Sequence, residues 1–358
     1  MKKFLALLLA LTMALALVAC GGGNDSSNTA TSGGDSESGF EPMTWKFACS
    51  ATETSPWVDG AKEFARIVGE KTGGAITVQY YPADQLTAGN QTDGIQALMD
   101  GTTELSMHSN LIWSSFDQRF NVVSLPFLFS STEEADAALD GAGGEALGEI
   151  LESTYNVHLL GIAENGFRHI TNSKHAIASK ADMNGLKMRV AGSQLLNRSY
   201  ELWGADYTNA NWSEVFTALQ TGTYDGQENP LPTADAASIQ EVQSYLTYWT
   251  GAYDCLFFCM NAELYNSLSP ELQAIVDEAG QAACEYEREL NRSQDQEIMD
   301  KWAEAGVEIT ELTPEAAAEF AEASAPVYDE FADELTPELI EAFTSVTQAD
   351  AGTTEPAA

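Results

Sequence analysis

Short apolar runs alternate with amphipathic segments along most of the chain. Residues 45–49 and 75–81 predict strands, and between them residues 57–71 carry Val58 and Val68 at helical spacing. The alternation continues with predicted strands at 105–108, 157–163 and 186–190 and predicted helices at 92–99, 132–154, 194–202 and 213–221. This order favours an α/β protein whose parallel or mixed sheets carry helices on both faces.

The pattern changes in the last third of the chain. Residues 253–260 predict another apolar strand, and residues 272–302 have no proline and a single glycine, Gly280. A helix of that length measures roughly 45 Å, which is more than one small lobe needs. We therefore expect a helix that crosses two lobes. Gly280 is either the point where this helix bends or a place where another element packs close.

Length and composition agree with a two-lobed globular protein. The chain has 358 residues, of which 44% are hydrophobic and 20% charged. There are 54 acidic residues against 16 Lys and Arg, so the net charge is −38. A body this acidic repels nucleic acid and anionic membrane surfaces, which excludes functions that depend on binding polyanions.

The first residues predict export and attachment to a membrane. Lys2 and Lys3 precede a short apolar stretch, and the sequence L-V-A-C-G at 17–21 resembles the bacterial lipoprotein box. We expect residues 1–19 to be a signal peptide and Cys20 to be lipidated. The alternative is an ordinary cleaved signal followed by an incidental cysteine.

The residues after Cys20 support an anchored protein. Residues 20–42 are rich in Gly, Ser, Asn and Asp, which predicts a flexible tether. No other stretch has the ~18 uninterrupted apolar residues of a spanning helix. We expect the folded body on the extracytoplasmic face of the bacterial cell membrane, held by its lipid. Any channel must then come from another chain.

Basic residues are concentrated in one part of this acidic chain. Between Gly166 and Arg198 there are six basic residues and a single acid, Asp182. Residues 271–341, in contrast, are strongly acidic, which is typical of solvated helix faces. A basic island on an acidic body is where a small anion can bind. Lys174 and the other lysines of the island are better explained as surface residues.

The sequence gives no sign of metal, cofactor or catalytic chemistry. The four histidines have no metal-ligand spacing, and no nucleophile elbow, phosphate-binding loop or dinucleotide motif is present. Acidic residues are too abundant for any pair to indicate a general acid and base. The cysteines after Cys20 either form up to two disulfides or remain buried thiols: Cys49, Cys255, Cys259 and Cys284.

Several motifs in a fixed order resemble one known family. They are G-F-R-H-I-T-N-S-K at 166–174, M-N-G-L-K-M-R-V at 183–190, E-V-F-T-A-L-Q-T-G at 214–222 and D-G-Q-E-N-P at 225–230, with Y-P-A-D-Q-L at 81–86 and L-P-F-L-F at 125–129 upstream. Together they resemble the solute-binding proteins of TRAP transporters, the DctP family. The resemblance extends from about residue 45 to beyond residue 302.

The resemblance implies a two-lobed, periplasmic-binding-protein-like α/β fold with mixed sheets, a central cleft that closes on an organic acid, and a long helix spanning both lobes. On this basis lobe I takes residues 43–165 and 254–285, lobe II takes 166–253 and 286–347, and 348–358 form a disordered tail. The implied partners are two integral membrane permease subunits that carry the carboxylate inward with sodium. We expect a monomer without a cofactor.

The resemblance also assigns ligand-binding residues. The family's carboxylate-binding arginine matches Arg189, and a planar guanidinium suits that role because it donates two parallel hydrogen bonds. Arg168 matches an arginine that assists ligand binding, although it can instead brace the hinge. Asn229 matches an asparagine of the cleft, although it can be only a turn residue before Pro230.

The remaining expected contacts are neutral. Trp212 takes a cleft-facing position where the family often has Phe, so it should narrow the pocket. On lobe I the matching positions are Ser50, Ser109 and Asn110. Because these residues carry no charge, a monocarboxylate fits at least as well as a dicarboxylate. One departure is Ala191, where the family usually has proline.

Two other classes of function have the same sequence features. A binding protein that serves a sensor or an ATP-driven transporter would have the same cleft. An extracytoplasmic hydrolase is also compatible with export, although no motif points to one. We expect a protein that binds its ligand and is not an enzyme.

Overall fold

The computed structural model describes residues 39–351, with the side chains of residues 39–346. The predicted signal peptide (1–19), Cys20 and residues 352–358 lie outside this range. The strands are β1 (Met43–Cys49), β2 (Ile76–Tyr81), β3 (Leu105–Ser109), β4 (Val157–Phe167), β5 (His169–Asn172), β6 (Lys187–Val190), β7 (Asp206–Asn209), β8 (Gly226–Asn229), β9 (Tyr245–Tyr248), β10 (Tyr253–Asn261) and β11 (Glu308–Glu311).

The helices alternate with these strands through most of the chain, as expected. They are α1 (Pro56–Lys71), α2 (Gln91–Met99), α3 (Asn110–Trp113), α4 (Thr132–Leu139), α5 (Ala142–Tyr155), α6 (Gln194–Trp203), α7 (Trp212–Gln220), α8 (Leu231–Ala236), α9 (Ala262–Ser267), α10 (Pro270–Glu304), α11 (Pro314–Ser324), α12 (Pro326–Glu330), α13 (Ala332–Leu335) and α14 (Pro337–Ala351). None of the helices within residues 39–351 is both long and apolar enough to cross a membrane.

Two mixed sheets form the framework, which confirms the predicted fold class. The first has the order β2-β1-β3-β10-β4, in which β10 is antiparallel to β3 and β4 while β1 is parallel to β2 and β3. The second has the order β11-β9-β5-β8-β6-β7. We call the bodies built on these sheets lobe I and lobe II. The chain passes to lobe II through Gly166, whose φ of +110° requires a glycine.

The first sheet is covered on both faces. Phe258 on β10 points to the face covered by α1 and α10, where it packs edge-on against Phe47 and Phe64. Its neighbour Phe257 points to the opposite face and packs against Phe120. Successive side chains of a strand lie on opposite faces, so a continuous apolar strand such as β10 must be covered on both.

The single helix predicted over residues 132–154 is wrong. The structure has two helices there, α4 and α5, separated at Asp140 and Gly141. Glycines at 141, 143 and 144 have low helix propensity and let α5 begin tightly against the end of α4. A Cβ on Gly144 would lie only 1.8 Å from the carbonyl oxygen of Leu139.

Helix α10 has 35 residues and extends along both lobes, as predicted. Ser269 caps its first turn by accepting a hydrogen bond from Leu272 N, and Pro270 occupies the first position. Its first half packs on α1 and β4, and Trp302 near its end lies in the core of lobe II. Gly280 faces Leu160 of β4, where an added Cβ would lie 2.6 Å from the Leu160 Cβ. Gly280 thus permits close packing.

Residues 286–347 were assigned to lobe II, but the last three helices of this range, α12 to α14, pack on lobe I. Val327, Leu335, Leu339 and Phe343 belong to the same apolar core as Phe120 and Phe257 of lobe I. These side chains pack on lobe I, where α14 contacts α4 and α5. Helix α14 also extends to Ala351, into the segment 348–358 that was expected to be disordered, because Gln348, Ala349 and Ala351 favour helix.

The four cysteines of the described residues are buried free thiols rather than disulfides. Burial raises the pKa of all four thiols, so none is a thiolate at neutral pH. They act as small apolar side chains of the cores: Cys49, Cys255, Cys259 and Cys284.

Candidate functional site

A cavity lies between the two lobes. On lobe I it begins where β1 and β3 end, because the carboxyl ends of neighbouring parallel strands meet at one edge of the sheet. The cavity is lined by residues of both lobes: Ser50, Ala51, Trp57, Gln91, Ser109, Ile112, Asn165, Arg168, Arg189, Ala191, Trp212, Asn229, Thr233 and Asp254. Six of the seven residues expected to contact a ligand are in this set, and Asn110 is not. Their contact with a ligand stays a prediction.

Arg189 on β6 is a buried cation without an anionic partner. Its side chain is only 2% exposed, and its Nε and Nη2 both donate to the carbonyl oxygen of Ala210, at 3.0 and 2.7 Å. Among residues 39–346 no carboxylate forms an ion pair with it. Burial lowers the pKa of Arg189 to about 10, which leaves the guanidinium charged at neutral pH.

An aromatic ring lies over the Arg189 guanidinium. The Arg189 Cζ lies 5.6 Å from the centre of the Trp212 ring, within cation–π range. Trp212 begins α7 and is itself largely buried in the wall of the cavity. The arginine is thereby fixed in position by Ala210 and Trp212, while its positive charge is left available to a bound anion.

Arg168 is neutralised by the protein itself. Its Nε donates to Glu228 and its Nη1 to Asp254, and its Nη2 reaches the Glu228 carbonyl and Asn229 Oδ1, each at 2.9 Å. Burial alone would lower the pKa of Arg168, but Glu228 and Asp254 together raise it. Arg168 therefore ties β5, β8 and β10 together, which agrees with the role of a hinge brace.

Asn229 is held by the same network. Its Oδ1 accepts from Arg168, and its Nδ2 donates to Gln227 Oε1 at 2.7 Å. Ser109 is also engaged, because its Oγ donates to Asp254 Oδ1 at 2.7 Å. Both side chains line the cavity, and their polar groups are hydrogen-bonded to other residues of the protein.

Asn110 does not line the cavity. Its Nδ2 donates to the Phe120 carbonyl and to Ser124, and its Oδ1 accepts from Cys255 N at 3.0 Å. The side chain is fully buried in lobe I. Its expected approach to a ligand is therefore wrong, because both of its N–H groups and its carbonyl oxygen bind partners within the core.

Two residues of lobe I that line the cavity carry buried donors without a partner among the described residues. Ser50 Oγ and Trp57 Nε1 are buried and form no hydrogen bond within the described residues. Native structures rarely leave buried donors unpaired, so such groups call for an explanation. Sequence reasoning missed Trp57, which occupies an apolar position of α1 and carries no motif. Gln91, Thr233 and Asp254 were missed as well, because they lie outside the motifs that carry the family resemblance.

The substitution of alanine for the family's usual proline at 191 has a local structural consequence. Ala191 N donates to Glu228 Oε1 at 3.0 Å, a bond that proline lacks the N–H to make. Glu228 therefore interacts with both Arg168 and the backbone at the end of β6.

Residues 39–346 contain no cluster of His, Cys, Asp and Glu arranged to hold a metal ion.

Comparison with known proteins places this geometry in a family. Residues 47–335 match the family model DctP, described as bacterial extracellular solute-binding protein, family 7. The chain is 32% identical over 274 residues to the 2,3-diketo-L-gulonate-binding periplasmic protein YiaO of Escherichia coli, covering 76% of this chain and 83% of that protein. It is 28% identical over 309 residues to the C4-dicarboxylate-binding periplasmic protein DctP of Rhodobacter capsulatus, covering 86% and 92%.

Solved structures share the whole architecture. The sugar acid binding protein DctPAm of Advenella mimigardefordensis, in complex with galactonate, superposes with a TM-score of 0.82 at 28% identity, over 86% of this chain and 99% of that one. A TRAP periplasmic solute-binding protein of Sulfurospirillum deleyianum with bound succinate gives a TM-score of 0.79 at 29% identity, over 86% and 100%. The chain therefore belongs to the DctP family, the extracellular solute-binding proteins of TRAP transporters.

Proposed function

We propose that this protein captures a small hydroxylated monocarboxylate in the cleft between its lobes and delivers it to a TRAP-type permease. The observation that carries the proposal is Arg189, a buried guanidinium at the cavity with no carboxylate partner among the described residues. A buried unpaired charge is costly, and a ligand carboxylate removes that cost while accepting charged hydrogen bonds.

The choice of a monocarboxylate rests on the charges around the cavity. Arg168, the other cation in its lining, is neutralised by Glu228 and Asp254. A second ligand carboxylate would therefore be buried beside acidic groups without a free cation, which is strongly unfavourable.

The choice of a hydroxylated ligand rests on the unpaired donors of lobe I. Ser50 Oγ and Trp57 Nε1 can each donate a hydrogen bond to a ligand hydroxyl. Leaving a buried donor unpaired costs about 1–3 kcal/mol, so such a ligand gains from both groups. Relatives that bind galactonate or D-erythronate support this class, although others bind succinate.

The partners and location follow from the family and the N-terminus. The protein releases its ligand unchanged to integral membrane permease subunits that couple its uptake to sodium. Cys20 carries the lipid that holds the protein on the extracytoplasmic face of the membrane, and the folded body is a monomer. The absence of a spanning helix in residues 39–351 is compatible with such an anchored protein.

Calorimetry with galactonate, D-erythronate and succinate tests the ligand class and the role of Arg189 in binding the carboxylate. We expect at least one of the two hydroxylated acids to bind more tightly than succinate. Arg189→Ala should weaken that binding tenfold or more, since charged hydrogen bonds contribute about 1.5–3 kcal/mol each. Arg198→Ala is the matched control, because Arg198 forms a surface ion pair with Glu330. Tighter binding of succinate, or an Arg189→Ala affinity within about threefold of wild type, would contradict the proposal.

Trp57→Phe tests the donor on lobe I separately. This variant keeps the aromatic shape and removes only the N–H. We expect it to weaken binding of the hydroxylated acid and to leave binding of butyrate, which lacks hydroxyls, unchanged. An equal loss for both ligands would mean that Trp57 contributes packing rather than a hydrogen bond.

A further inference from the structure

The two lobes touch directly at one edge of the cleft. Ser213 Oγ of lobe II donates to the carbonyl oxygen of Gly89 at 3.0 Å, and Trp212 N donates to Gln91 Oε1 at 3.1 Å. We call these two hydrogen bonds the latch. A Cβ on Gly89 would lie 2.6 Å from Ser213 Oγ, so only glycine allows the lobes to approach this closely.

On lobe II, the residues of the latch lie in the same segment as the residues that hold Arg189. Ala210 accepts both hydrogen bonds from Arg189, and Trp212 covers the guanidinium. Ala210 and Trp212 precede Ser213 by three residues and one residue. A contact at Ser213 therefore acts on the backbone segment that orients Arg189.

The lobe I side of the latch is a strained turn. Ala83, Asp84 and Ala88 all have left-handed backbone conformations, with φ values of 53°, 49° and 54°. Such conformations are unfavourable for a non-glycine residue and persist only where surrounding contacts enforce them. The turn leads directly into Gly89 and Gln91.

A buried pair of side chains lies beneath this turn. The Asp84 carboxylate accepts a hydrogen bond from Nε2 of His108 on β3 at 2.9 Å, and both side chains are almost fully buried. Gly94 of α2 leaves room for them, since a Cβ there would lie 2.7 Å from Asp84 Oδ1. Neither residue lines the cavity.

We propose that Asp84 and His108 are positioning residues for ligand binding. The pair holds the left-handed turn in the conformation that brings Gly89 and Gln91 to lobe II, and the latch in turn favours the closed cleft around the ligand. This proposal rests on the proposed ligand-binding function. The two residues act through the latch and do not touch the ligand.

A double-mutant cycle tests this route, using whichever of galactonate and D-erythronate binds wild type more tightly. We expect Asp84→Ala to weaken that binding about tenfold and to lose most of this effect in a Ser213→Ala background. Thr52→Ala is the matched background, because Thr52 Oγ1 also joins the lobes, through the Ala236 carbonyl at 3.2 Å, but outside the latch. There Asp84→Ala should keep its full effect. Equal effects in both backgrounds would overturn the proposal.

Conservative variants separate positioning from general stability. Asp84→Asn keeps an acceptor and tolerates the left-handed conformation, and His108→Gln keeps a donor near the Nε2 position, so both should bind close to wild type. If Asp84→Ala does not fold, Gly89→Ala replaces it. That variant should weaken binding, and its effect should be smaller in a Ser213→Gly background, where the latch bond and the close contact with residue 89 are already gone. An effect of equal size in the two backgrounds would overturn the role of the latch.

Hydrogen exchange without ligand keeps this test independent of the ligand class. In Asp84→Ala, amides of residues 83–91 should exchange faster than in wild type and in Asp84→Asn. Unchanged exchange would overturn the positioning role even if the ligand is correctly identified. A wild-type protein that binds none of the three acids, yet shows the exchange effect, would instead contradict the proposed function.

Discussion

Two arginines of the cleft have opposite electrostatic surroundings. Arg168 is paired with Glu228 and Asp254, whereas Arg189 has a carbonyl oxygen and a ring but no carboxylate. Removing one partner of a buried ion pair leaves an uncompensated charge and costs about 3–5 kcal/mol. Glu228 acts on Arg189 electrostatically without pairing with it, and it keeps Arg168 as its partner when Arg189 is removed.

This contrast predicts opposite effects on stability and binding. Arg168→Met should lower the free energy of unfolding by about 3–5 kcal/mol. Arg189→Met should leave the stability of the ligand-free protein unchanged or raise it, while it abolishes binding of the carboxylate. Urea unfolding and calorimetry measure the two effects. Equal destabilisation by both variants would show that Arg189 is also a structural residue.

At the scale of residues, sequence reasoning found six of the side chains that line the cavity but not the state of their charges. Ser50, Ser109, Arg168, Arg189, Trp212 and Asn229 were all assigned from the family resemblance and all line the cavity. The neutralisation of Arg168 could not be predicted, because Glu228 and Asp254 lie 60 and 86 residues away in the chain. Such pairing becomes visible only after three strands meet.

At the scale of elements, the longer helices and strands were easier to predict from the sequence than the shortest strands. The apolar strand β10 and the amphipathic helix α1 have enough residues to show a period. Five of the six four-residue strands were not predicted, because so short a segment rarely shows a period: β5, β7, β8, β9 and β11. The sixth, β6, was predicted, since apolar residues alternate through residues 186–190. The break between α4 and α5 was missed because the apolar spacing continues across it.

Helix α10 carries an acid whose ionisation opposes folding. Burial, with Glu164 nearby, raises the pKa of Asp295 to about 6. Because the folded state then holds its proton more tightly than the unfolded state, this group makes the protein less stable as pH rises from about 4 through 6. Arg292, one turn earlier on the same helix, pairs with Glu164 and Asp136 rather than with Asp295.

Asp295→Asn should therefore stabilise the protein at pH 8 by about 2 kcal/mol, allowing for partial exposure, and by much less at pH 4. Urea unfolding at the two pH values measures the difference. Glu289→Gln is the matched control, since Glu289 is exposed on the same helix. A gain that is the same at both pH values would show that the carboxylate of Asp295 is not the cause.

At the scale of the whole molecule, the N-terminus predicts where the protein is held. Cys20 lies outside the described residues, and its lipidation is predicted from the lipoprotein box alone. Cys20→Ser should release the protein from the membrane fraction while leaving ligand affinity unchanged, because the predicted tether separates Cys20 from β1. Cys49→Ser is the control for loss of a thiol, since Cys49 is buried in lobe I. Retention of the Cys20→Ser protein on the membrane would contradict lipid anchoring.

The separation of the binding groups between the lobes predicts that the molecule closes on its ligand. Arg189 belongs to lobe II, while Ser50 and Trp57 belong to lobe I. A small ligand can reach all three only when the cleft is shut, so its binding must favour the closed state. Helix α10 and the crossings near Gly166 connect the lobes throughout this movement.

Small-angle scattering should show a smaller radius of gyration when the best-binding acid is saturating. In Arg189→Ala the same ligand concentration should leave the radius unchanged, because the ligand no longer joins the two lobes. Ser213→Ala, which removes one latch bond, should require more ligand for the same final radius. An unchanged radius in wild type, despite binding shown by calorimetry, would mean that the cleft is a rigid pocket. A permease would then have no change of shape by which to distinguish loaded from empty protein.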